Sequence, residues 1–321
     1  MSKPQIQHPR DEAPHADPVE WWYVTAQGKG DDGKPYALMC ALFKGGVFGL
    51  TDVYFAHWFV TDVDAKKFTP HYKVFWRGAD TLKFDPDGID VRFGKTFAMS
   101  KTDGRMRFAT QQFELDLKPS KPAMLVGGTG FVDLKTSTTH YYSLTRLKAA
   151  GKIKIGGKNV EFKGLAWFDH QWSPATYNNE HVWTWFSFQL DDGTDVTCYE
   201  YGRKQKTLMA TVSWPDGRQS VSRKLSMAPL MQPWTSHKTG TRYPLDWKIS
   251  IPDLKIELLA QPKVRNQEMV HGPFRYWEGP LEASGSIRGR DVKGHGFLEM
   301  NGVPSGRSPF ALLKRLVAKL R

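Results

Sequence analysis

The sequence predicts an all-β protein made of two antiparallel β-barrel or sandwich domains in tandem. Short runs rich in aromatic and β-branched residues alternate with turn signals such as Asp31-Asp32-Gly33 and Asp191-Asp192-Gly193, which is the pattern of β-hairpins. Convincing helical periodicity is nearly confined to residues 309–321. Two sets of motifs recur in the same order in both halves, and such self-similarity is typical of a tandem duplication.

The length and composition fit two folded domains. At 321 residues, the chain is long enough for each domain to bury its own core. An apolar content of 40% argues against disorder, and no run of about 18 apolar residues is present to span a bilayer. The leader, Met1 to Asp17, is polar and lacks the apolar core of a secretory signal. As written, the sequence predicts a cytoplasmic protein, or a periplasmic one if the N-terminus has been trimmed.

The cysteine count and the charge pattern exclude several classes of protein. Cys40 and Cys198 are too few for a disulfide scaffold and lack the paired spacing of a zinc site, so we expect buried thiols. The net charge of +12 comes from basic residues that are interleaved with acidic ones. No clustered basic motif surrounds the aromatic residues, and we therefore expect no nucleic-acid partner.

Residues 309–321 differ from the rest of the chain in their periodicity. Phe310, Leu313 and Leu316 recur at helical spacing, while Lys314 and Arg315 lie elsewhere around the helix. This pattern predicts a short, basic, amphipathic C-terminal helix. Such a helix either docks on its own domain or makes a peripheral contact with an anionic membrane surface or a partner.

Taken in order, the chain shows strand patterns from Glu20 almost to its end, with Asp- and Gly-containing turns between them. In the first half the predicted strands are residues 36–43, 53–63, 71–76, 81–84, 89–93, 106–117, 140–147, 152–155 and 160–168. In the second half they are residues 182–190, 195–201, 208–214, 245–251, 254–260, 276–287 and 294–301. The glycine-rich residues 127–130 lack the Lys-Ser/Thr ending of a phosphate loop, so we expect a strand connection there.

The repeated motifs locate the domain boundary. Residues 147–153 resemble residues 281–287, and each segment is followed by Lys-Gly and then by an acidic residue, Asp169 in the first copy and Glu299 in the second. The shared order predicts an N-terminal domain, 1–173, and a C-terminal domain, 174–321, which carries the basic tail. On this alignment Asp169 and Glu299 each end the last strand of a unit.

The chemistry-bearing residues lie among aromatic ones. No Gly-x-Ser-x-Gly, His-Glu-x-x-His or Cys-x-x-Cys motif occurs, which argues against an ordinary serine hydrolase or a recognisable zinc enzyme. Instead, Asp169-His170 lies between Trp167 and Trp172. A carboxyl group in apolar surroundings resists ionisation, and such perturbed groups often mark sites of chemistry. Asp169 is therefore a candidate catalytic acid, the alternative being a turn residue that caps backbone amides.

Other candidates each have a structural alternative. Glu20 precedes Trp21-Trp22-Tyr23 and is either functional or simply begins a strand and pairs with an arginine. His57 is a hydrogen-bonded core residue unless it faces the same cavity as Asp169. Glu278 stands against Leu144 in the repeat alignment, which favours either a functional role or a solvent-facing position. Alternation along residues 197–201 turns Glu200 outward.

Six motifs follow one another along the chain: Glu20-Trp21-Trp22-Tyr23, Ala56-His57, Tyr141-Tyr142-Ser143-x-Thr145-Arg146, Gly164-x-Ala166-Trp167-x-Asp169-His170-x-Trp172, Leu190-Asp191-Asp192-Gly193 and Tyr276-Trp277-Glu278-Gly279. Together they resemble the lipocalin-like AttH and carotenoid 1,2-hydratase family over nearly the whole chain. The resemblance implies a fold of two tandem lipocalin-like β domains. It also implies an enzyme, because the family includes carotenoid hydratases, hydratases of plant-defence compounds and cyclising enzymes of the pericyclase type.

The resemblance also implies roles for individual residues. In the carotenoid hydratases a His-x-Trp pair and a downstream Tyr and Asp are implicated in protonating and hydrating a terminal alkene. His170 and Trp172 match the pair, and Tyr199 and Glu200 stand nearest to the downstream residues. The implied substrate is a hydrophobic, alkene-bearing small molecule, isoprenoid or polyketide-like, that undergoes hydration or a related isomerisation or cyclisation.

Alkene hydration needs a strong acid and a stabilised carbocation, and it requires neither a metal nor an organic cofactor. A protonated Asp169 supplies the acid, indole faces stabilise the cation by about 0.5–2 kcal/mol per ring, and His170 orients water or adjusts the proton affinity of Asp169.

The predicted catalytic residues are Asp169, His170, Glu278, Tyr199 and Glu20. The predicted ligand-binding residues are Trp22, His57, Trp167, Trp172, Trp183, Trp185, Tyr276 and Trp277. The alternative function is a lipocalin-like carrier that binds an apolar ligand without turnover.

Overall fold

The computed structural model describes residues 6–8, 10–47, 50–76, 82–84, 88–175, 180–271 and 274–304. The chain divides into two compact units: unit 1 comprises Met1–Asn178 with Thr211–Val221, and unit 2 comprises Asn179–Ala210 with Ser222–Arg321. This division follows spatial contacts, and the domain boundary after residue 173 stays a prediction. The predicted C-terminal helix, 309–321, lies outside the described residues.

Unit 1 is built from antiparallel strands joined by short turns, as the alternating sequence pattern predicts. Its strands are β1 (Val19–Gly30), β2 (Pro35–Val47), β3 (Leu50–Asp62), β4 (Lys67–Trp76), β5 (Leu82–Phe84), β6 (Asp90–Phe93), β7 (Phe97–Thr102), β8 (Arg105–Thr110), β9 (Phe113–Pro119), β10 (Met124–Leu125), β11 (Phe131–Asp133), β12 (Thr138–Ile155) and β13 (Lys158–Ser173). They follow the order β4-β3-β2-β1-β13-β12-β9-β8-β7-β6-β5, and β10 and β11 both pair with β12. The first strand, β1, therefore lies beside the last, β13.

One predicted break between strands is absent. The sequence predicts residues 140–147 and 152–155 as separate strands, yet β12 runs unbroken from Thr138 to Ile155. Residues 148–151 pair with β9 on one side and with β13 on the other. Hydrogen bonding on both sides outweighs the weak β propensity of Ala and Gly in this segment.

β1 and β13 approach each other closely at a pair of glycines. Gly28 and Gly164 are directly opposite each other in the register. A Cβ atom on Gly164 would lie 2.1 Å from the carbonyl oxygen of Gln27, and a Cβ atom on Gly28 would lie 2.1 Å from that of Lys163. Glycine therefore permits the close pairing of the two strands that carry the candidate site.

Successive side chains of β13 point to opposite faces of the sheet. Phe168 and Trp172 belong to the hydrophobic core of unit 1, together with Trp22 of β1 and Tyr142 of β12. Asp169 points to the opposite face, and it is also buried. We call the core side of this sheet the inner face and the other side the outer face.

The remaining strands repeat this arrangement in the second half of the chain. They are β14 (Trp183–Leu190), β15 (Asp195–Tyr201), β16 (Thr207–Ser213), β17 (Gln219–Ser222), β18 (Ser226–Pro229), β19 (Trp234–Thr235), β20 (Arg242–Tyr243), β21 (Trp247–Ile251), β22 (Ile256–Pro262), β23 (Glu268–His271), β24 (Phe274–Ile287) and β25 (Arg290–Asn301). Within unit 2 the order is β15-β14-β25-β24-β22-β21-β18, with β23 beside β24. As in unit 1, the first strand, β14, lies beside the last, β25.

The register corrects two details of the repeat alignment. Glu278 stands opposite Glu299 across β24 and β25, as Ser143 stands opposite Asp169 across β12 and β13. Glu278 therefore corresponds to Ser143, and the predicted equivalence with Leu144 is wrong because the register of β12 shifts just after Leu144. Asp169 and Glu299 also precede the ends of their strands, which are at Ser173 and Asn301.

Helical structure in the described residues is limited to 3₁₀ turns at Arg10–Glu12, Val126–Gly128 and Pro252–Leu254. The turn at Val126–Gly128 leads into β11, so the expected strand connection at residues 127–130 is confirmed. Within the described ranges, no helix has the length and apolar character needed to cross a membrane. Cys40 and Cys198 are free, buried thiols, as predicted.

Candidate active site

His170 lies on the inner face of unit 1, near the end of β13. The register places Trp22 of β1 and Tyr142 of β12 directly beside it. The side chain of His170 is completely buried, and the Trp22 ring stacks on the imidazole with ring centroids 4.9 Å apart. An imidazole in this position has to find its hydrogen-bond partners inside the protein.

Those partners are a carboxylate and a phenol. His170 Nε2 lies 2.9 Å from Glu20 Oε1, and His170 Nδ1 lies 3.3 Å from Tyr142 Oη. Burial lowers the pKa of His170. Burial alone would raise the pKa of Glu20, but hydrogen bonds from His15 and His170 overcome this effect and the pKa is lowered. At neutral pH Glu20 is therefore ionised and His170 is neutral, with Nε2–H donating to Glu20 and Nδ1 accepting from Tyr142.

The N-terminal leader completes this group of residues. The backbone N–H of His15 donates to both carboxylate oxygens of Glu20, at 3.1 and 3.0 Å, and His15 Nδ1 lies 2.8 Å from Oε1. The Lys44 ammonium donates to the His15 carbonyl oxygen at 2.8 Å. We call His15, Glu20, Tyr142 and His170 the inner cluster, because all four gather on the inner face.

Aromatic rings surround the inner cluster. Trp172 stacks with His15 at a centroid distance of 3.8 Å and an interplanar angle of 7°. Trp172 also stacks with His140, at 5.2 Å and 12°. His8 of the leader meets the edge of Tyr142 at 4.4 Å. These contacts hold the ring planes of the cluster, and within it Glu20 and His170 are fully buried.

Asp169 occupies the outer face, among three hydrogen-bond donors. Ser143 Oγ and Trp167 Nε1 donate to Asp169 Oδ1 at 2.5 and 2.6 Å, and Tyr141 Oη donates to Oδ2 at 2.8 Å. Burial raises the pKa of Asp169 to about 7, although the hydrogen bonds from Ser143, Trp167 and Tyr141 each lower it. We call these four residues the outer cluster; its centre is a carboxyl group that holds a proton close to neutral pH.

The inner and outer clusters correct the expected grouping around Asp169. Because neighbouring residues of a strand face opposite sides, His170 points away from Asp169 and bonds Glu20 instead. Trp172 lies on the inner face with His170. His57 shares the outer face with Asp169, but β1 and β2 lie between them. The expectation that His170 and Trp172 adjoin the Asp169 carboxyl group is therefore wrong, and the partner of Glu20 is His170, not an arginine.

In unit 2, most of the predicted residues lie on one face. Glu278, Glu299, Trp185 and Tyr199 follow one another across four strands. Tyr276 and Trp183 lie on the same face, each two residues before Glu278 and Trp185 in its strand. Trp277 points to the other face, where its Nε1–H donates to the Arg265 carbonyl oxygen at 2.8 Å.

Two residues of β15 contrast with each other. Burial raises the pKa of Tyr199, and its hydroxyl is a buried group without a hydrogen-bond partner in the described part of the chain. Glu200, by contrast, forms a partly exposed ion pair with Lys206 at 2.7 Å, so the expectation that it turns outward is confirmed. The unit 2 face therefore offers a phenol, carboxyl groups and indole rings.

Sequence reasoning missed four residues that bond the predicted ones. Tyr141, Tyr142 and Ser143 form a motif that carries the family resemblance, yet the sequence alone assigned them no contact. His15 lies in a leader whose polar composition gave no sign of its place against Glu20. The alternation of Tyr141, Tyr142 and Ser143 opposite Asp169-His170 is the signal that could have found three of them.

The two clusters of unit 1 support different chemistry. The outer cluster can donate a proton from a carboxyl group. In the inner cluster, one ligand atom each from His15, Glu20 and His170 lies within 4.8 Å of the others, which is close enough to hold a metal ion.

Comparison with known proteins gives a family match and a shared fold. The family model described as AttH-like matches residues 1–303. A curated relative, dehydratase asqC of Emericella nidulans, is 25% identical over 203 residues. That match covers 59% of this chain and 57% of the relative, so the chain spans somewhat more than half of the relative's length.

Two solved structures share the fold. A protein assigned as AttH from Nitrosomonas europaea has a TM-score of 0.83 at 24% identity, covering 95% of this chain and 99% of that one. Kievitone hydratase from Nectria haematococca has a TM-score of 0.79 at 17% identity, covering 94% of each chain. These likenesses confirm the predicted fold of two tandem lipocalin-like β domains.

Proposed function

Because this chain belongs to the AttH-like family, as its ordered motifs predict, we propose that it is a hydratase-type enzyme that adds water to, or removes water from, a hydrophobic alkene. The substrate class we propose is an isoprenoid or polyketide-like small molecule. A curated relative named as a dehydratase and a structural neighbour named as a hydratase support this reaction class. In this proposal the reaction is cofactor-independent, because side chains supply both the proton and the stabilisation of the cation.

The observation that carries the proposal is the buried carboxyl group of Asp169. A pKa of about 7 leaves a substantial protonated fraction at neutral pH, and a general acid works best with a pKa near the working pH. Burial is also what keeps carboxylic acids protonated in other enzymes that donate protons to weak bases. A solvated aspartate, with a pKa near 4, would be almost fully ionised under the same conditions.

In the hydration direction, Asp169 transfers its proton to the less substituted carbon of the alkene. The electron pair of the double bond forms the new C–H bond, and the other carbon becomes a tertiary carbocation. Water then adds to that carbon, and the oxonium returns a proton to the Asp169 carboxylate, which restores the acid. Dehydration is the reverse sequence, and capture of the cation by a second double bond would give cyclisation.

The residues around Asp169 suit these steps. The Trp167 indole, whose N–H bonds the carboxyl group, places an aromatic ring beside the reacting groups, and such a ring stabilises a cation by about 0.5–2 kcal/mol. The hydroxyls of Tyr141 and Ser143 can rotate as the carboxyl group loses and regains its proton. The carboxylate that forms therefore keeps three hydrogen bonds.

The proposal is tested by incubating the protein with acyclic isoprenoid and polyketide-like alkenes in ¹⁸O-labelled water and analysing the products by mass spectrometry. We expect the wild type to give a product heavier by one labelled water. Asp169→Asn should bind the same alkene but turn it over about 10²–10⁴-fold more slowly, the usual contribution of a general acid. Recovery of the bound alkene unchanged from the wild type would favour the carrier function instead.

A matched control separates loss of the acid from loss of a buried carboxyl group in general. Asp246 of unit 2 is as buried as Asp169, with 3% of its surface exposed, but it forms an ion pair with Arg265 at 2.9 Å. Asp246→Asn should retain turnover. Equal activity in Asp169→Asn and the wild type would remove Asp169 from the mechanism.

A further inference from the structure

Three metal-ligating side chains converge on the inner face of unit 1. His15 Nδ1 and His170 Nε2 lie 2.8 and 2.9 Å from the same oxygen of Glu20, and the three ligand atoms lie within 4.8 Å of one another. We propose that His15, Glu20 and His170 form a binding site for one divalent transition-metal ion, with Zn²⁺ as the representative occupant. This site is separate from the proton donor of the proposed function, because Asp169 lies on the outer face.

The donor set fits this class of ion. Two imidazole nitrogens and one carboxylate oxygen are the protein ligands of many catalytic zinc sites, and the same set binds other divalent first-row metals. With Zn–N and Zn–O distances of about 2.0–2.2 Å, tetrahedral ligand atoms lie about 3.4 Å apart. Each imidazole nitrogen, now 2.8 or 2.9 Å from Glu20 Oε1, therefore needs to move away from that oxygen by only about half an ångström to admit the ion.

Burial and charge favour a cation at this point. The side chains of Glu20 and His170 are fully enclosed, with 0% of each exposed, and that of His15 is 19% exposed. The buried carboxylate is therefore paired with the two imidazoles, both of which lie within hydrogen-bond distance of its Oε1 atom. The Lys44 ammonium is bound to the His15 carbonyl oxygen. A divalent ion would neutralise the carboxylate at the centre of the cluster.

The surroundings of the three ligands resemble the outer shell of a metal site. A histidine ligand usually donates its second ring N–H to a fixed partner, which sets the tautomer and the ring orientation. With a metal ion on His170 Nε2 in place of the proton, the ring proton would be on Nδ1, and Tyr142 Oη, 3.3 Å away, would accept it. Stacked indoles, Trp22 on His170 and Trp172 on His15, hold the two imidazole planes.

The fold, and not a local motif, assembles this site. His15 comes from the leader, Glu20 from the start of β1 and His170 from β13, 150 residues further along the chain than Glu20. A bound ion would therefore fasten the leader to the first and last strands of unit 1. The sequence predicts no metal site because no two of these ligands share a recognisable spacing.

The test is a zinc titration of the full-length protein after treatment with a chelator. Zinc content is measured by mass spectrometry of the metal, and affinity by competition with a chromophoric chelator. We expect one Zn²⁺ per chain, and an affinity that falls at least about 100-fold in both His15→Ala and Glu20→Gln, since each removes a direct ligand. Substitution by Co²⁺ should give the visible absorption of a nitrogen- and oxygen-ligated ion.

His140→Asn is the matched control, because His140 stacks on Trp172 as His15 does but lies outside the ligand set. It should bind zinc as the wild type does. His15→Ala changes only a partly exposed side chain of the leader, so far-ultraviolet circular dichroism should show an intact sheet. The proposal is overturned if the wild type binds no stoichiometric zinc, or if folded His15→Ala binds it as tightly as the wild type does. Since no readout depends on turnover, failure here leaves the proposed hydration untouched.

Discussion

Asp169 and His170 are consecutive in the chain but lie in distinct chemical environments. Burial raises the pKa of Asp169 to about 7 and lowers the pKa of His170, so in both residues it favours the uncharged form. Asp169 keeps three hydrogen-bond donors around a carboxyl group. His170 instead joins a carboxylate to a phenol. One strand thus offers a proton donor on one face and a neutral imidazole on the other.

Asp169 should make the stability of the protein depend on pH. Its pKa is about 7 in the folded chain against an ordinary value of 3.8, so between these values the folded chain keeps a proton that the unfolded chain has released. The free energy of unfolding therefore falls as the pH rises through this window, by about 4 kcal/mol in total. Asp169→Asn lacks this contribution.

Denaturant titrations of the wild type and Asp169→Asn, followed by tryptophan fluorescence, measure this effect. The difference in unfolding free energy between the two proteins should change by about 4 kcal/mol from pH 4 to pH 8. The wild type should become less stable relative to the variant as the pH rises. A difference that stays constant over this range would mean that Asp169 does not retain its proton in the folded chain.

Ser143 should influence the pKa of the Asp169 carboxyl group. Its hydrogen bond to Asp169 Oδ1 lowers the pKa of the carboxyl group, so Ser143→Ala should raise that pKa further. In pH profiles of kcat/KM, the decline on the alkaline side should then move upward by about 0.5–1 pH unit, as expected for the loss of one hydrogen bond. Ser173→Ala, which removes a hydroxyl of β13 that is bonded to the Thr138 carbonyl oxygen, should leave the profile unchanged. An equal shift in both variants would argue against a specific role for Ser143.

At the scale of elements, the pairing of β1 with β13 depends on close backbone contact. Gly164→Ala places a methyl group 2.1 Å from a backbone carbonyl oxygen, which no side-chain movement can relieve. We expect a loss of about 3 kcal/mol in the free energy of unfolding, measured by denaturant titration. Gly157→Ala in the β12–β13 turn meets no atom within 4 Å and carries only the strain of a positive φ of 84°, so it should cost about 1–2 kcal/mol. A smaller loss in Gly164→Ala than in Gly157→Ala would contradict the close contact.

Local signals in the sequence predict most of the strands, because alternation and Asp-Gly turns act over a few residues. The prediction of residues 106–117 as one strand is wrong, since they form the two strands β8 and β9. Local signals fail where distant pairing decides the structure. Residues 148–151 lie between two predicted strands but form the middle of β12, since β9 and β13 bond both of its edges. The leader presents the same difficulty: its His15 is held by Glu20 and Lys44, and a polar composition does not reveal such a contact.

At the scale of the whole molecule, the two units share a strand order and differ in chemistry. In each, the first strand lies between its hairpin partner and the last strand. At equivalent positions opposite the acidic residue, unit 1 has Ser143 and unit 2 has Glu278. The family and the all-β class could be predicted, and so could the presence of acidic and histidine residues among aromatic rings, because motifs and alternation are properties of short segments. The division of Asp169 and His170 between two faces, and the place of His15, could not, because they depend on register across strands.

During synthesis, the pairing of β1 with β13 can form only after most of unit 1 has been translated. Glu20 leaves the ribosome 150 residues ahead of its partner His170, an interval of roughly 8–30 s at ordinary translation rates. During that time β1 can pair with β2, which follows it directly, but the other edge of β1 has no strand to bind. Contacts between such distant segments form slowly. A newly made chain is therefore exposed to misassociation along one edge of β1 until the last strand of unit 1 has been translated.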